Sequence, residues 1–140
     1  MANSIEIHIA NKIPEIEHVC DEIDRFSRAH TVPDKEIFTL HLAIDEILTN
    51  IISYGYSDKK EHFIDIHYTL EKDYQKLEII DDSHPFDPAD APEPDVQSDL
   101  TERKIGGLGI YLIKNMMDEI NYSSKNGKNT LVLTKKREYK

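Results

Sequence analysis

The spacing of apolar residues changes period twice along this chain, and that pattern constrains the fold more than any other feature. In SIEIHIA, Ile5, Ile7 and Ile9 alternate with polar residues, the period of a half-buried strand. From about Pro14 to Ala29 the period becomes helical, with apolar residues at 16, 19, 20, 23 and 26. A second helical stretch carries Ile37, Leu40, Ile44, Ile47, Leu48 and Ile51. Pro33 suits its first turn, Asp34 and Glu36 lie near its positive end, and it should stop before Gly55. Alternation returns in EHFIDIHYTL, where Ile64, Ile66, Tyr68 and Leu70 share a face, and KLEIID follows as its hairpin partner. Residues 83 to 104 hold four of the six prolines and no glycine, which predicts a loop. A third helix is expected from Gly109 towards Met117. Two short strands follow near 119–124 and 129–135, joined around Asn126–Gly127.

Helices in this order are too few for a doubly wound sheet, and hairpins imply antiparallel pairing. The expected fold is an α+β two-layer sandwich, one mixed, mostly antiparallel sheet covered on one face by all three helices. The 140 residues suit a single domain, 1–140, with one core. Loops beyond about 12–15 residues are usually functional or disordered, so the stretch 83–105 is expected to serve a ligand.

Composition narrows the function. Hydrophobic and charged fractions of 39% and 31% are those of an ordinary globular protein. No apolar run reaches membrane-spanning length, and MANSIEIHIA has neither the basic nor the apolar region of a signal peptide. The single cysteine, Cys20, lies in the stripe Ile16, Val19, Cys20, Ile23 and reads as a small buried hydrophobe, with a cytoplasmic location expected. A net charge of −10 repels nucleic acid and anionic membranes, so neither is an expected partner, and suits a basic protein surface instead.

Three places could carry chemistry. In AIDEILTNIISYGY, Glu46 and Asn50 lie four residues apart, opposite the apolar stripe, with the small residues Thr39, Ala43 and Ser53 on their side. Such a pair is often only a solvated face. It could also join a proton-accepting carboxylate to an amide oxygen able to ligate Mg²⁺, as phosphoryl transfer requires. In LEIIDDSHPFDP, Asp81 shares a strand face with Leu77 and Ile79. Either the strand ends early and Asp81 is a wet turn residue, or a buried carboxylate awaits a ligand's donor, for which the exocyclic amino group of a purine would serve. Third, Gly106, Gly107 and Gly109 put three of the five glycines at the mouth of one helix, with Arg103 and Lys104 just upstream. Glycine lets backbone N–H groups approach an anion at a helix N-terminus, so GGLG is a phosphate cradle, a hinge, or both. It is neither a P-loop nor the dinucleotide fingerprint. The seven histidines are scattered, with no zinc-site spacing among them.

In this order the motifs resemble those of the ATPase superfamily of gyrases and sensor histidine kinases, the histidine kinase-like ATPase (Bergerat) fold. Within it, DEILTNIISYGY, DDSHPFDP and GGLGIYLIKNMMDEINY are most similar to the small bacterial anti-sigma factors that are serine/threonine protein kinases. The resemblance covers the chain from about residue 33 onward. It implies ATP and Mg²⁺ as cofactors, Glu46 as the general base, Asn50 as the Mg²⁺ ligand, and Asp81 as acceptor for the adenine amino group. Residues 83–105 would be the nucleotide lid, with Ser83 and Phe86 at its start. Gly106, Gly107, Leu108 and Gly109 would line the phosphates, Arg103 would lie near them, and Thr130 would supply a hydroxyl near the adenine. The family's D-x-G-x-x-F-D motif here has Ser83 in place of its glycine, and the lid is acidic at Asp87, Asp90, Glu93, Asp95, Asp99 and Glu102.

The resemblance implies a kinase that phosphorylates an anti-sigma factor antagonist and sequesters a sigma factor, regulating transcription by partner switching. It leaves homodimer formation open. Ser83 and the acidic lid motivate a second reading, a nucleotide-gated binding regulator without catalysis. A third is a plain interaction domain that binds no nucleotide.

Overall fold

A computed structural model describes residues 3–86 and 107–137. Its elements are β1 (Asn3–Ala10), α1 (Pro14–Ala29), α2 (Asp34–Tyr54), β2 (Phe63–Leu70), β3 (Tyr74–Asp81), α3 (Gly107–Met116), β4 (Glu119–Lys125) and β5 (Lys128–Lys136). The five strands form one sheet in the order β1-β2-β3-β5-β4. All four pairings are antiparallel, so the expected mixed sheet has no parallel pair among the described residues. The connections explain this. Two helices between β1 and β2 return the chain reversed beside β1. β3 and β4, with α3 between them among the described residues, run parallel to each other, but β5 is inserted between them and runs against both.

Local sequence accounts for the element boundaries. Pro14 opens α1 at its first position, where a missing N–H is not needed. Pro33 stands one residue before α2 rather than inside it: its ψ of 146° is extended, and its carbonyl accepts from the amides of Glu36 and Ile37. α3 begins at Gly107, two residues earlier than expected. Asn126 and Gly127, with φ of 53° and 78°, make the two-residue turn between β4 and β5, a conformation that suits asparagine and glycine.

Alternation along the strands and the helical stripes meet in one core. Ile64, Ile66, Tyr68, Leu77 and Ile79 from the sheet and Val19, Ile23, Ile37, Ile44 and Leu48 from the helices are all at most 2% exposed. Burying each such aliphatic side chain contributes about 1.5–3 kcal/mol, which makes this layer contact the main source of stability. Cys20 packs half-buried against it, and burial together with Asp45, Asp21, Asp24 and Glu17 pushes its thiol up to about 11. It therefore stays protonated at neutral pH and is a poor nucleophile.

Polar groups also enter the core. The Tyr68 hydroxyl donates to Gln75 Oε1 at 2.6 Å, and Gln75 Nε2 donates to Glu36 Oε1 at 2.6 Å. Glu36, expected near the positive end of α2, is 2% exposed. A cavity of about 10 Å³, room for one water, lies beside this chain, lined also by Thr39, Met117 and Lys135. It is far too small for a nucleotide. No helix among the described residues is long and apolar enough to cross a membrane.

Candidate functional site

Glu46 and Asn50 lie one turn apart on α2 and are both half-buried. Thr39 and Ala43, expected to leave room beside them, are instead buried by the protein at 2% and 0% exposure, and Ser53 is exposed. Their small size admits neighbouring core atoms, and Thr39 Oγ1 turns back to the Lys35 carbonyl at 3.1 Å. Glu46 itself is half-buried. Its Oε1 is shielded from solvent and has no hydrogen-bond partner among the described residues. Burial pushes the Glu46 carboxyl above the usual carboxylate range, the Asn50 amide opposes that shift, and Asp45 adds to it. A raised carboxyl with an unmatched oxygen is suited to accepting a proton from a bound group.

The C-terminal end of α2 is tied to the chain leaving β3. The His84 amide donates to the Gly55 carbonyl at 2.8 Å, and Ser83 fills the space beside Gly55. This junction brings the end of the helix that carries Asn50 against the end of the strand that carries Asp81.

Asp81 is the last residue of β3 and is 5% exposed. Strand alternation holds it on the core face with Leu77 and Ile79, so it is not a wet turn residue. Its Oδ1 accepts three hydrogen bonds, from the Ser83 amide at 2.9 Å, Ser83 Oγ at 2.5 Å and Asn129 Nδ2 at 3.0 Å. The carboxylate therefore has internal partners that the sequence did not suggest, all on one oxygen. No donor among the described residues reaches Oδ2.

Thr130 is not brought to Asp81. It pairs in register with Ile80, one position from the Asn129–Asp81 pair, and strand alternation turns it to the opposite face. Asn129 occupies the inward position instead, at 2% exposure. Its inward alternation with Leu131 and Leu133 was the available signal. Phe86 is 54% exposed, and its amide donates to Tyr122 Oη at 2.9 Å. Gly107, Leu108 and Gly109 form the first turn of α3, where backbone N–H groups have no partner within the helix. Arg103, Gly106 and the lid residues 87–105 lie outside the described residues.

Beside the β3 end, His62 bridges two carboxylates, with Nε2 2.8 Å from Asp58 and Nδ1 3.0 Å from Asp82. Tyr56 stacks on its ring at 4.3 Å and donates its hydroxyl to Asp82 at 3.1 Å. Asp82 and Asp58 raise the His62 pKa above its ordinary value. Among the described residues, no group of three or more His, Cys, Asp or Glu side chains is arranged to hold a metal ion alone. Mg²⁺ held mainly by substrate phosphates needs only one or two protein oxygens, and Asn50 beside the unmatched Glu46 oxygen fits that pattern.

Comparison with known proteins bears on the family and the fold. A family model described as the histidine kinase-like ATPase domain matches residues 9–135. The serine/threonine-protein kinase BtrW of Bordetella bronchiseptica is 34% identical over 99 residues, covering 69% of this chain and 68% of that one. The serine-protein kinase RsbW of Listeria monocytogenes is 27% identical over 85 residues, covering 58% of this chain and 54% of that one. The match thus spans about half the length of the Listeria relative. A solved structure of the RsbU and RsbW domains of a Mycobacterium tuberculosis protein superposes with a TM-score of 0.66 at 14% identity, over 96% of this chain and 32% of that one. At that identity the likeness bears on the fold.

Proposed function

The chain belongs to the histidine kinase-like ATPase domain family, alongside the RsbW and BtrW kinases, and from that premise we propose a protein serine/threonine kinase that uses Mg·ATP. Its substrate is an anti-sigma factor antagonist, and its second partner is a sigma factor that it sequesters while the antagonist is phosphorylated. The observation that carries this reading is Glu46, whose buried Oε1 lacks a partner among the described residues and whose carboxyl is held above its usual range one turn from Asn50.

In the proposed reaction Glu46 accepts the proton of a substrate hydroxyl as that oxygen bonds to the γ-phosphorus of ATP. The bond from the γ-phosphorus to the β–γ bridging oxygen breaks and ADP leaves. Asn50 supplies an oxygen to Mg²⁺, which when bound neutralises charge on the phosphates. Asp81 accepts from the adenine amino group, and the first turn of α3 offers its N–H groups to the phosphates. A phosphate adds about −1.5 to −2 charge to the antagonist. The chain's own charge of −10 would repel it and favour release.

The test is transfer of labelled γ-phosphate from ATP to an antagonist protein of the same source, with and without Mg²⁺. Labelled antagonist is expected only with Mg²⁺ and only with Glu46 intact. Bound nucleotide with no labelled protein would favour the second reading, a nucleotide-gated regulator. The observation behind that alternative is Ser83, whose hydroxyl takes up acceptor capacity on Asp81.

A further inference from the structure

Asp81 and Asn129 face each other across the β3–β5 ladder, and the Asn129 side chain is fully committed there. Its Nδ2 donates to Asp81 Oδ1 at 3.0 Å and to the Ser83 carbonyl at 2.8 Å. Its Oδ1 accepts from Ser124 Oγ at 2.7 Å. Carboxylate and carbonyl oxygens can only accept, so the amide must turn its nitrogen towards them, and Ser124 on β4 holds that orientation. One amide therefore fixes both the acceptor at the end of β3 and the backbone that leaves it.

A carboxylate free to rotate offers two equivalent oxygens and no fixed direction. Here Oδ1 carries three internal donors, Ser83 N, Ser83 Oγ and Asn129 Nδ2. Only Asn129 comes from another strand, so it alone sets the carboxylate relative to the sheet rather than to its own turn. We propose that Asn129 is a positioning residue for base recognition: it occupies Oδ1 so that Oδ2 is the oxygen offered to the exocyclic amino group of the base. This rests on the nucleotide site proposed above.

The experiment compares ATP with purine riboside triphosphate, which lacks the exocyclic amino group, by calorimetric titration with Mg²⁺ against wild type, Asn129→Leu and Ser124→Ala. Wild type should prefer ATP. In Asn129→Leu, affinity for ATP should fall about tenfold or more, the effect of losing a hydrogen bond to a charged group, while the analogue changes by less than about twofold. Ser124→Ala keeps the asparagine but frees its amide, and should show a smaller loss in the same direction. If Asn129→Leu fails to fold, the ATP-to-analogue ratio in Ser124→Ala decides. Equal weakening of both nucleotides would reduce Asn129 to a structural residue and overturn the proposal, as would an unchanged ratio. Wild type binding both nucleotides equally would overturn this proposal and the Asp81 contact with the adenine amino group, and would leave the nucleotide site itself standing. Wild type binding neither would overturn the nucleotide reading and this proposal with it.

Discussion

A Cβ placed on Gly55 would fall 2.7 Å from the Cβ of Ser83 and 2.5 Å from the Ile51 carbonyl oxygen, so Gly55 and Ser83 share a volume that only one side chain can fill. Ser83, where the motif of related ATPases has glycine, is accommodated because its neighbour across the junction has no side chain. Gly55→Ala should therefore destabilise the protein by about 1–3 kcal/mol, the usual range for overpacking. Adding Ser83→Gly should recover part of that loss but not all, because the clash with Ile51 is with backbone. A double-mutant cycle in urea measures the coupling. Strictly additive effects would show that the two positions do not compete.

His62 should give the fold a pH-dependent component. Its folded-state pKa is raised above the ordinary 6.5 by Asp82 and Asp58. Its contribution is therefore fully present below about pH 6.5 and is lost as pH rises through the raised value. Asp58 is held below its usual range by the His62 hydrogen bond. Asp82 is also held low: partial burial pushes it up, but His62 and Tyr56 outweigh that. Their contributions persist until pH falls through those lowered values. His62→Phe keeps a ring against Tyr56 and removes the charge. It should destabilise most near about pH 5–6 and little by about pH 9. Urea midpoints across that range check it, and a flat difference would assign the effect to packing.

The left-handed Thr31, φ 56°, closes α1 in a conformation that is strained for a β-branched residue. The Val32 amide reaches back to the Ser27 carbonyl at 3.0 Å, so the turn itself is well bonded. Thr31→Gly removes the strain, gives up the Thr31 Oγ1 bond to the His30 carbonyl, and raises the entropy of the unfolded chain. The expected net gain is about 0.5 kcal/mol, or roughly 2–3 °C in melting temperature. A lower melting temperature would show that the hydroxyl bond outweighs the strain.

Much of this fold was legible locally because period and punctuation are local properties. The stripe Ile16, Val19, Ile23 with Pro14 before it marks α1 at its observed bounds, and the alternation of Leu77 and Ile79 places Asp81 inward. What was illegible depends on distant partners. Glu36 reads as a helix-end carboxylate, and only Gln75, 39 residues on, shows why it can be buried. Thr130 and Asn129 differ by a single step, yet one step in a strand exchanges the two faces of the sheet. The resemblance named a hydroxyl, and the pleat delivered the amide next to it. Thr39 and Ala43 failed in the same way: small residues on a helix leave room, but the sequence does not say whether a ligand or the protein fills it.

Glu46 should show a conflict between stability and activity. Burial raises its folded-state pKa above the ordinary 4.5, so the shift favours folding below that value, and the benefit is lost as pH rises through the raised pKa. Above it the protein carries an ionised carboxylate whose Oε1 is shielded from water and unpaired among the described residues. Glu46→Gln keeps the shape and removes the charge, and a neutral amide is less costly to bury than a carboxylate. The variant should therefore be more stable than wild type at about pH 7–8 and indistinguishable near pH 4. Phosphate transfer should fall by about 10²–10⁴-fold, the contribution of a general base, while ATP affinity is retained because Glu46 does not hold the nucleotide. Urea denaturation at the two pH values and labelled-phosphate transfer are measured on the same preparation. Transfer at wild-type rates would remove Glu46 from the chemistry. Lost transfer with unchanged stability at both pH values would show that the carboxylate is solvated in the folded state, and that its unmatched oxygen is not the source of its reactivity.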